Sequence, residues 1–270
     1  MPLKVSDIVA LMEETAHPRL ALAWDNVGLL MGRADRTVTK VCMALDPSPI
    51  VVKEAVAAGS QMLITHHPLF LRPIKRLDFS SPLGNLIETA TKNDLAIYAA
   101  HTNLDRARGG VNEILAEKLG MSEIRAMEAD ANDPSDFGLG FTGLLPRPFD
   151  FDGLCRHVAK CLGIGWLRAT GDPGLPVSRV AVCSGGGRSM VGNFLSTDAT
   201  VFITGDLGHH DAREIADYGR ACIDAGHFAT EHPVVEALAR RLSPALAANG
   251  VEIMLHPSEK DPFRPVIITV

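Results

Sequence analysis

The stretch Met62-Leu63-Ile64-Thr65-His66-His67-Pro68 decides how the chain is read. An apolar run ends abruptly in two adjacent imidazoles and a proline. The run is too short for a buried helix and is bounded by turn chemistry, so it reads as a buried strand. Pro68 lacks an N–H and biases His67 away from helical angles, so the strand is expected to stop here and the chain to leave the sheet. At a strand's carboxyl end, imidazoles can project into the crevice where α/β proteins keep their sites.

Working outward, residues 40–45 read as a strand ending at Asp46-Pro47-Ser48, 49–58 as a helix and 61–65 as the opening strand. A β-α-β unit of this kind implies parallel pairing. Residues 83–93 read as a helix and 94–100 as a strand running into His101-Thr102-Asn103-Leu104-Asp105. Upstream, residues 6–16 carry a helical apolar stripe with Ser6 as its cap, and Trp24-Asp25-Asn26 with the following glycines marks a turn before a short strand. Residues 111–119 read as a helix closed by Gly120.

Residues 127–138 are acidic, rich in Ala, Asn, Asp and Pro, and show no apolar periodicity. They are expected to be a linker between an N-terminal α/β lobe (1–126) and a C-terminal one (139–270), whose terminal strands can pack back on the first lobe. The second series has strands at 140–145, 177–183, 200–204 and 220–225, and helices at 152–162, 211–218 and 232–249. Closing strands are expected at 251–256 and 265–270. The fold class is α/β.

Composition narrows the function. The chain has 270 residues, 46% apolar and 21% charged, enough for one large or two modest cores. A formal net charge of −6 argues against a nucleic-acid binder that relies on a basic patch, but leaves phosphorylated small molecules open. Five cysteines without a Cys-x-x-Cys suit reduced thiols in a cytoplasmic protein. Residues 1–14 lack a signal peptide's basic start and apolar core, and no apolar run reaches the roughly 18 residues of a membrane span.

Three strand ends carry clustered ligand chemistry: His66-His67, His101-x-x-x-Asp105 and His227-x-x-x-Glu231. On a helix that last spacing puts an imidazole and a carboxylate one turn apart on one face. For His101 and Asp105, helix and loop remain equal alternatives. Four imidazoles and two carboxylates suit zinc, iron, manganese, cobalt or nickel rather than calcium or magnesium. Six groups are too many for one tetrahedral ion and suit a pair about 3.5–4 Å apart. Each histidine alone has a bland reading as a satisfied polar residue; three clusters after apolar strands are harder to dismiss. Ser184-Gly185-Gly186-Gly187-Arg188 could cradle an anion or be a tight turn. His209 and His210 could line a site, cap a helix or face solvent. His17, His157 and His256 have no ligand-like company.

Several of these stretches together resemble one family: Trp24-Asp25-Asn26-Val27-Gly28-Leu29, Ile64-Thr65-His66-His67-Pro68-Leu69, His101-Thr102-Asn103-Leu104-Asp105, Thr204-Gly205-Asp206 with His209-His210, and Gly226-His227-x-x-x-Glu231. The chain resembles the NIF-three-like proteins, labelled GTP cyclohydrolase I type-two homologues, in their short form. The resemblance implies two similar three-layer α/β lobes with a dinuclear metal site in the cleft between them, and a toroidal homo-hexamer. It implies that His67 and Asp105 bind one ion, that His66 and His227 bind the other, and that Glu231 bridges both, with His101 an additional ligand or supporting group. Adjacent side chains point apart along a strand, which fits separate ions for His66 and His67. The function implied is a metal-dependent hydrolase acting on a small nucleotide-like or phosphorylated substrate, with His101, His209 or Glu231 handling protons. The alternative is a non-enzymatic metal-binding, metal-delivering or regulatory ring protein.

Overall fold

A computed structural model describes residues 2–130 and 133–266. The chain divides into two compact units, one of residues 1–107 and 234–259 and the other of residues 108–233 and 260–270. The first unit begins with α1 (Val5–Thr15), β1 (Gly28–Met31), β2 (Lys40–Ala44), α2 (Pro49–Ala57), β3 (Met62–Thr65), α3 (Pro82–Lys92), β4 (Ala96–Ala99) and α4 (Thr102–Arg106). The second holds α5 (Val111–Lys118), β5 (Ser122–Asp130), β6 (Asp133–Asp150), α6 (Phe151–Leu162), β7 (Arg168–Thr170), β8 (Pro176–Gly186), α7 (Val191–Leu195), β9 (Val201–Gly205), α8 (His209–Asp217), β10 (Ala221–Asp224) and α9 (His227–Glu231). The chain then returns to the first unit with α10 (Pro233–Ala247) and β11 (Glu252–Leu255).

The first unit's sheet has the order β1-β4-β3-β2-β11. The last four run parallel, and β1 lies antiparallel on the edge. Every residue of β3 and β4 is buried, as expected of a strand covered on both faces. Leu63 packs with Val51 and Val52 of α2 and Leu86 and Ala90 of α3, while Met62 and Ile64 are buried on the alternate face. The caps follow sequence chemistry: Ser48 and Ser81 accept the N–H of Val51 and Gly84, each with a proline at the first helical turn. At α1, Asp7 rather than Ser6 serves the N-terminus, accepting the Lys4 N–H at 2.8 Å.

The second sheet has the order β5-β6-β8-β9-β10-β7, with β8, β9 and β10 parallel. Alternate residues of β8 face opposite cores. Val180 and Val182 pack with Leu115 of α5 and Leu154 and Val158 of α6, while Ala181 and Cys183 pack with Phe194 of α7 and Ile215 of α8. This unit therefore has three layers. Both sheets have a run of parallel strands, four in the first and three in the second, with an antiparallel strand at one edge, β1 beside β4 and β7 beside β10.

The domain boundaries differ from the sequence expectation. Residues 127–130 and 133–138, expected as linker, lie in the antiparallel strands β5 and β6; residues 131 and 132 fall outside the described residues. Backbone pairing needs no apolar period, so a polar ribbon escapes a reading based on hydrophobicity. The units part near residue 107 because α5 buries Leu115 and Ala116 in the second unit's core. Of the closing strands, β11 extends the first sheet through β2, as allowed for. The strand expected at 265–270 finds no strand at 265 and 266, and its remainder lies outside the described residues.

None of the five cysteines is disulfide-bonded. Burial pushes the Cys42 thiol up to about 12, helped by the Glu259 and Glu54 carboxylates, and pushes Cys155 up to about 11. Thiolate is the reactive form, so Cys42 should resist a thiol reagent at pH 7.5 in the native protein. Titration with a chromogenic disulfide should find all five only after unfolding; rapid native labelling of Cys42 would contradict this packing. Among the described residues, no helix is long and apolar enough to cross a membrane.

Candidate metal centre

In both sheets the ligand-type residues lie just beyond the carboxyl ends of parallel strands, where α/β sheets hold ligands. In the first unit His66 and His67 follow β3, and His101 follows β4 as the residue before α4. One ligand nitrogen from each of these three lies within 4.8 Å of the other two. The His66 and His67 rings are 4.9 Å apart, centre to centre, and His101 lies 5.2 and 5.5 Å from them. The expectation that the adjacent rings splay apart is therefore corrected. Strand alternation ends at Thr65, whose hydroxyl donates to the His67 carbonyl at 2.7 Å, so the two imidazoles turn to the same region.

Each ring is held by its Nδ1. His66 Nδ1–H donates to the Ala100 carbonyl at 2.8 Å, His67 to Asp46 Oδ1 at 2.8 Å and His101 to Asp25 Oδ1 at 2.9 Å. A carbonyl or carboxylate oxygen only accepts, so the proton of each neutral ring sits on Nδ1 and the lone pair on Nε2. Metal-ligating histidines are oriented in this way. The residues present therefore fit a divalent ion. Asp105, one helical turn after His101 in α4, lies with Oδ1 3.6 Å from His66 Nε2. Of the open alternatives for residues 102–106, the helix is the one formed.

Asp25 is the buried anchor of this half. Its side chain is fully buried, and its carboxylate accepts from His101, from the Thr102 N–H at 2.9 Å and from the Thr102 hydroxyl. Burial raises its pKa, but these hydrogen bonds and the His101 charge outweigh it, so the carboxyl is held well below the usual carboxylate range. The local Asx role expected of Asp25 and Asn26 is present too, with the Asn26 N–H on Asp25 Oδ1 at 2.7 Å.

In the second unit His227 and Glu231 share one face of α9, with His227 Nε2 3.0 Å from Glu231 Oε2. His227 Nδ1 donates to Asp206 Oδ2 at 2.8 Å, repeating the carboxylate–histidine arrangement at the end of β9. Thr230 and Glu231 are buried, and the Thr230 hydroxyl oxygen accepts the Gly185 N–H at 2.9 Å. The Ser184 N–H goes to Asn112 Oδ1 at 2.8 Å. The amides at 184 and 185 are thus committed to side chains rather than to an anion; residues 184–186 still belong to β8, and the chain turns only after them, in a 3-10 helix at Gly187–Met190 that leads into α7. His209 and His210 are exposed in the first turn of α8, where Asp211, not histidine, accepts the Gly208 N–H. His157 and His256 are structural: one bonds the Leu119 carbonyl and the other faces Glu54 at 2.9 Å.

Asp46 and Thr230 were not singled out from the sequence as parts of the site, and Asp206 and Gly185 were picked out only within a family stretch and a possible anion cradle, with no role toward the ligand histidines. A usable signal existed for the two acids, since Asp206 directly follows β9 and Asp46 comes two residues after the end of β2. The partners of Gly185 and Thr230 are 45 residues apart and leave no local trace.

The chain matches the model of the Duf34/NIF3 (NGG1p interacting factor 3) family over residues 3–262. It is 32% identical over 262 residues to a Clostridium perfringens protein named GTP cyclohydrolase 1 type 2 homolog, covering 97% of this chain and 99% of that one. A Streptomyces coelicolor protein of the same name is 34% identical over 260 residues, covering 95% of this chain and 91% of its own. The crystal structure of a Bacillus cereus protein related to NIF3 superposes with a TM-score of 0.94 at 24% identity over 98% of this chain and 100% of that one, which shows the fold. With a family match across nearly its whole length and the fold to go with it, the chain belongs to the Duf34/NIF3 family.

Proposed function

We propose that the protein is a dinuclear metal-dependent hydrolase acting on a small nucleotide-like or phosphorylated substrate. The observation that carries this reading is the convergence of His66, His67 and His101, each with Nδ1 held by an oxygen acceptor. The ligands proposed are these three with Asp105, His227 and Glu231, serving two divalent ions of zinc, iron or manganese, with Glu231 the shared carboxylate. Such ions, when bound, lower the pKa of coordinated water toward 7 and stabilise developing negative charge.

The chain's own residues supply the rest. Asp25 fixes the His101 tautomer, Asp46 that of His67 and Asp206 that of His227, so the site is shaped before anything binds. His101 and Glu231 are the groups proposed to take and return protons. Trp24, 58% exposed with its ring centre 6.0 Å from that of His101, offers an aromatic face to a ring-bearing substrate.

Elemental analysis tests the metal content. About two ions per chain are expected in the parent, on the two-ion reasoning above, with loss in Glu231→Ala. One ion or none would sink the dinuclear reading. For the activity, a panel of nucleotides and phosphoesters should yield turnover that disappears in His227→Ala; no turnover in the metal-loaded parent would remove the hydrolase. The family resemblance also supports a homo-hexamer, for which light scattering should give six chain masses, and five unbridged cysteines suit a cytoplasmic location.

A further inference from the structure

We propose that Glu259 is a positioning residue for His67, acting through Asp46. The inference rests on the metal-centre reading above, and it concerns what holds that centre in shape.

The end of β2 is gripped from two directions. On one side His67 donates its backbone N–H to the Leu45 carbonyl at 2.9 Å and its ring Nδ1–H to Asp46 Oδ1 at 2.8 Å. On the other, the regular β2–β11 ladder ends with Leu255 opposite Met43 and the His256 N–H on the Met43 carbonyl at 2.9 Å. Beyond that point no strand among the described residues supplies acceptors to this side of β2. Glu259 does so instead: its two carboxylate oxygens accept the Leu45 N–H at 2.7 Å and the Asp46 N–H at 2.9 Å. One charged side chain, more than 200 residues away in sequence, thus continues the ladder for two residues.

The second of those residues orients a candidate ligand. The Asp46 side chain is 49% exposed, so packing does not fix where its carboxylate points. Its direction follows from the backbone at 45 and 46, which Glu259 pins by two charge-assisted hydrogen bonds. With the clamp removed, Asp46 keeps its chemistry and loses its aim, and His67 loses the acceptor that keeps its proton on Nδ1.

The test is a zinc competition titration of the full chain at pH 8 for the parent, Glu259→Ala, Glu259→Gln, Asp46→Ala and the Glu259→Ala/Asp46→Ala double variant. Nitrogen-15 NMR of the His67 ring in the metal-free proteins runs beside it. Glu259→Ala should weaken zinc binding about tenfold, the lower end of what losing an outer partner costs a metal site, and should turn His67 from a pure Nδ1–H form into a tautomer mixture. Glu259→Gln keeps one acceptor oxygen and should fall between. In the Asp46→Ala background the Glu259 change should add little, because its route is already cut. Parent-like zinc affinity and tautomer in Glu259→Ala would overturn the proposal, as would a loss that persists undiminished without Asp46. Should the parent bind no zinc, the metal reading fails by itself, and the metal-free tautomer still decides the role of Glu259.

Discussion

Gly185→Ala is expected to strip most of the divalent metal from the second unit's ligand pair while leaving the chain folded. Gly185 has φ +62°, a left-handed conformation that costs an alanine about 1 kcal/mol. A Cβ there would stand 1.9 Å from Glu231 Oε1 and 3.3 Å from His227 Nε2. The first distance is impossible, but the obstructing atom is the tip of a side chain, so the carboxylate rather than the backbone gives way. It cannot move without breaking the 3.0 Å approach between His227 and Glu231. The combined stability loss should be about 1–3 kcal/mol, a modest fall in Tm. Metal affinity should drop by at least the ~10–100-fold that outer partners command, because here a ligand itself is displaced. Elemental analysis and calorimetry on the same preparation separate the two effects. Full metal content in a folded Gly185→Ala protein would mean that Glu231 is not a ligand.

Asp25→Asn is the second large effect. An asparagine is nearly the same size, so no cavity opens. It carries no charge, and its amide turns either a weaker acceptor or a donor toward His101. A donor there pushes the His101 proton to Nε2 and removes the lone pair from the metal side, so metal affinity should fall about 10–100-fold. Losing a charged acceptor for four part-buried donors should also cost about 1–3 kcal/mol of stability near neutral pH. The pH dependence follows from the direction of the shift. The folded-state pKa of Asp25 lies below the unfolded value of about 3.9. Its contribution is therefore complete above about pH 4 and is lost as pH falls through the folded value. The Tm gap between parent and Asp25→Asn should stay level from pH 8 to about pH 5 and narrow in stronger acid. A gap that widened on acidification would show that Asp25 is not held as a carboxylate.

What was legible in the chain was whatever leaves a local pattern. The buried strand before His66 announced itself by a short apolar run and a proline, and His227 and Glu231 shared a helix face because their spacing is helical. Asp25 was half legible. Its bond to the next residue's N–H is local chemistry, whereas its grip on His101 spans 76 residues and rests on the fold. The ribbon formed by β5 and β6 was misread because main-chain pairing is indifferent to side-chain polarity. The splay expected of His66 and His67 failed for a related reason: alternation is a property of strands, and the strand had ended one residue earlier.

The split first unit has a consequence for how the protein is made. All six strands of the second sheet lie between residues 122 and 224, so that sheet can close as soon as it is synthesised. The first sheet cannot. β2 begins at Lys40, but its outer neighbour β11 begins at Glu252, and at roughly 5–20 residues per second β11 follows β2 by about 10–40 s. During that interval β2 is a bare, apolar sheet edge, the kind of template that pairs with other chains. The clamp at Glu259 arrives later still. On that proposal His67 gains its final orientation only after Glu259 has been made, and nascent chains stalled before residue 252 are the expected aggregation-prone species.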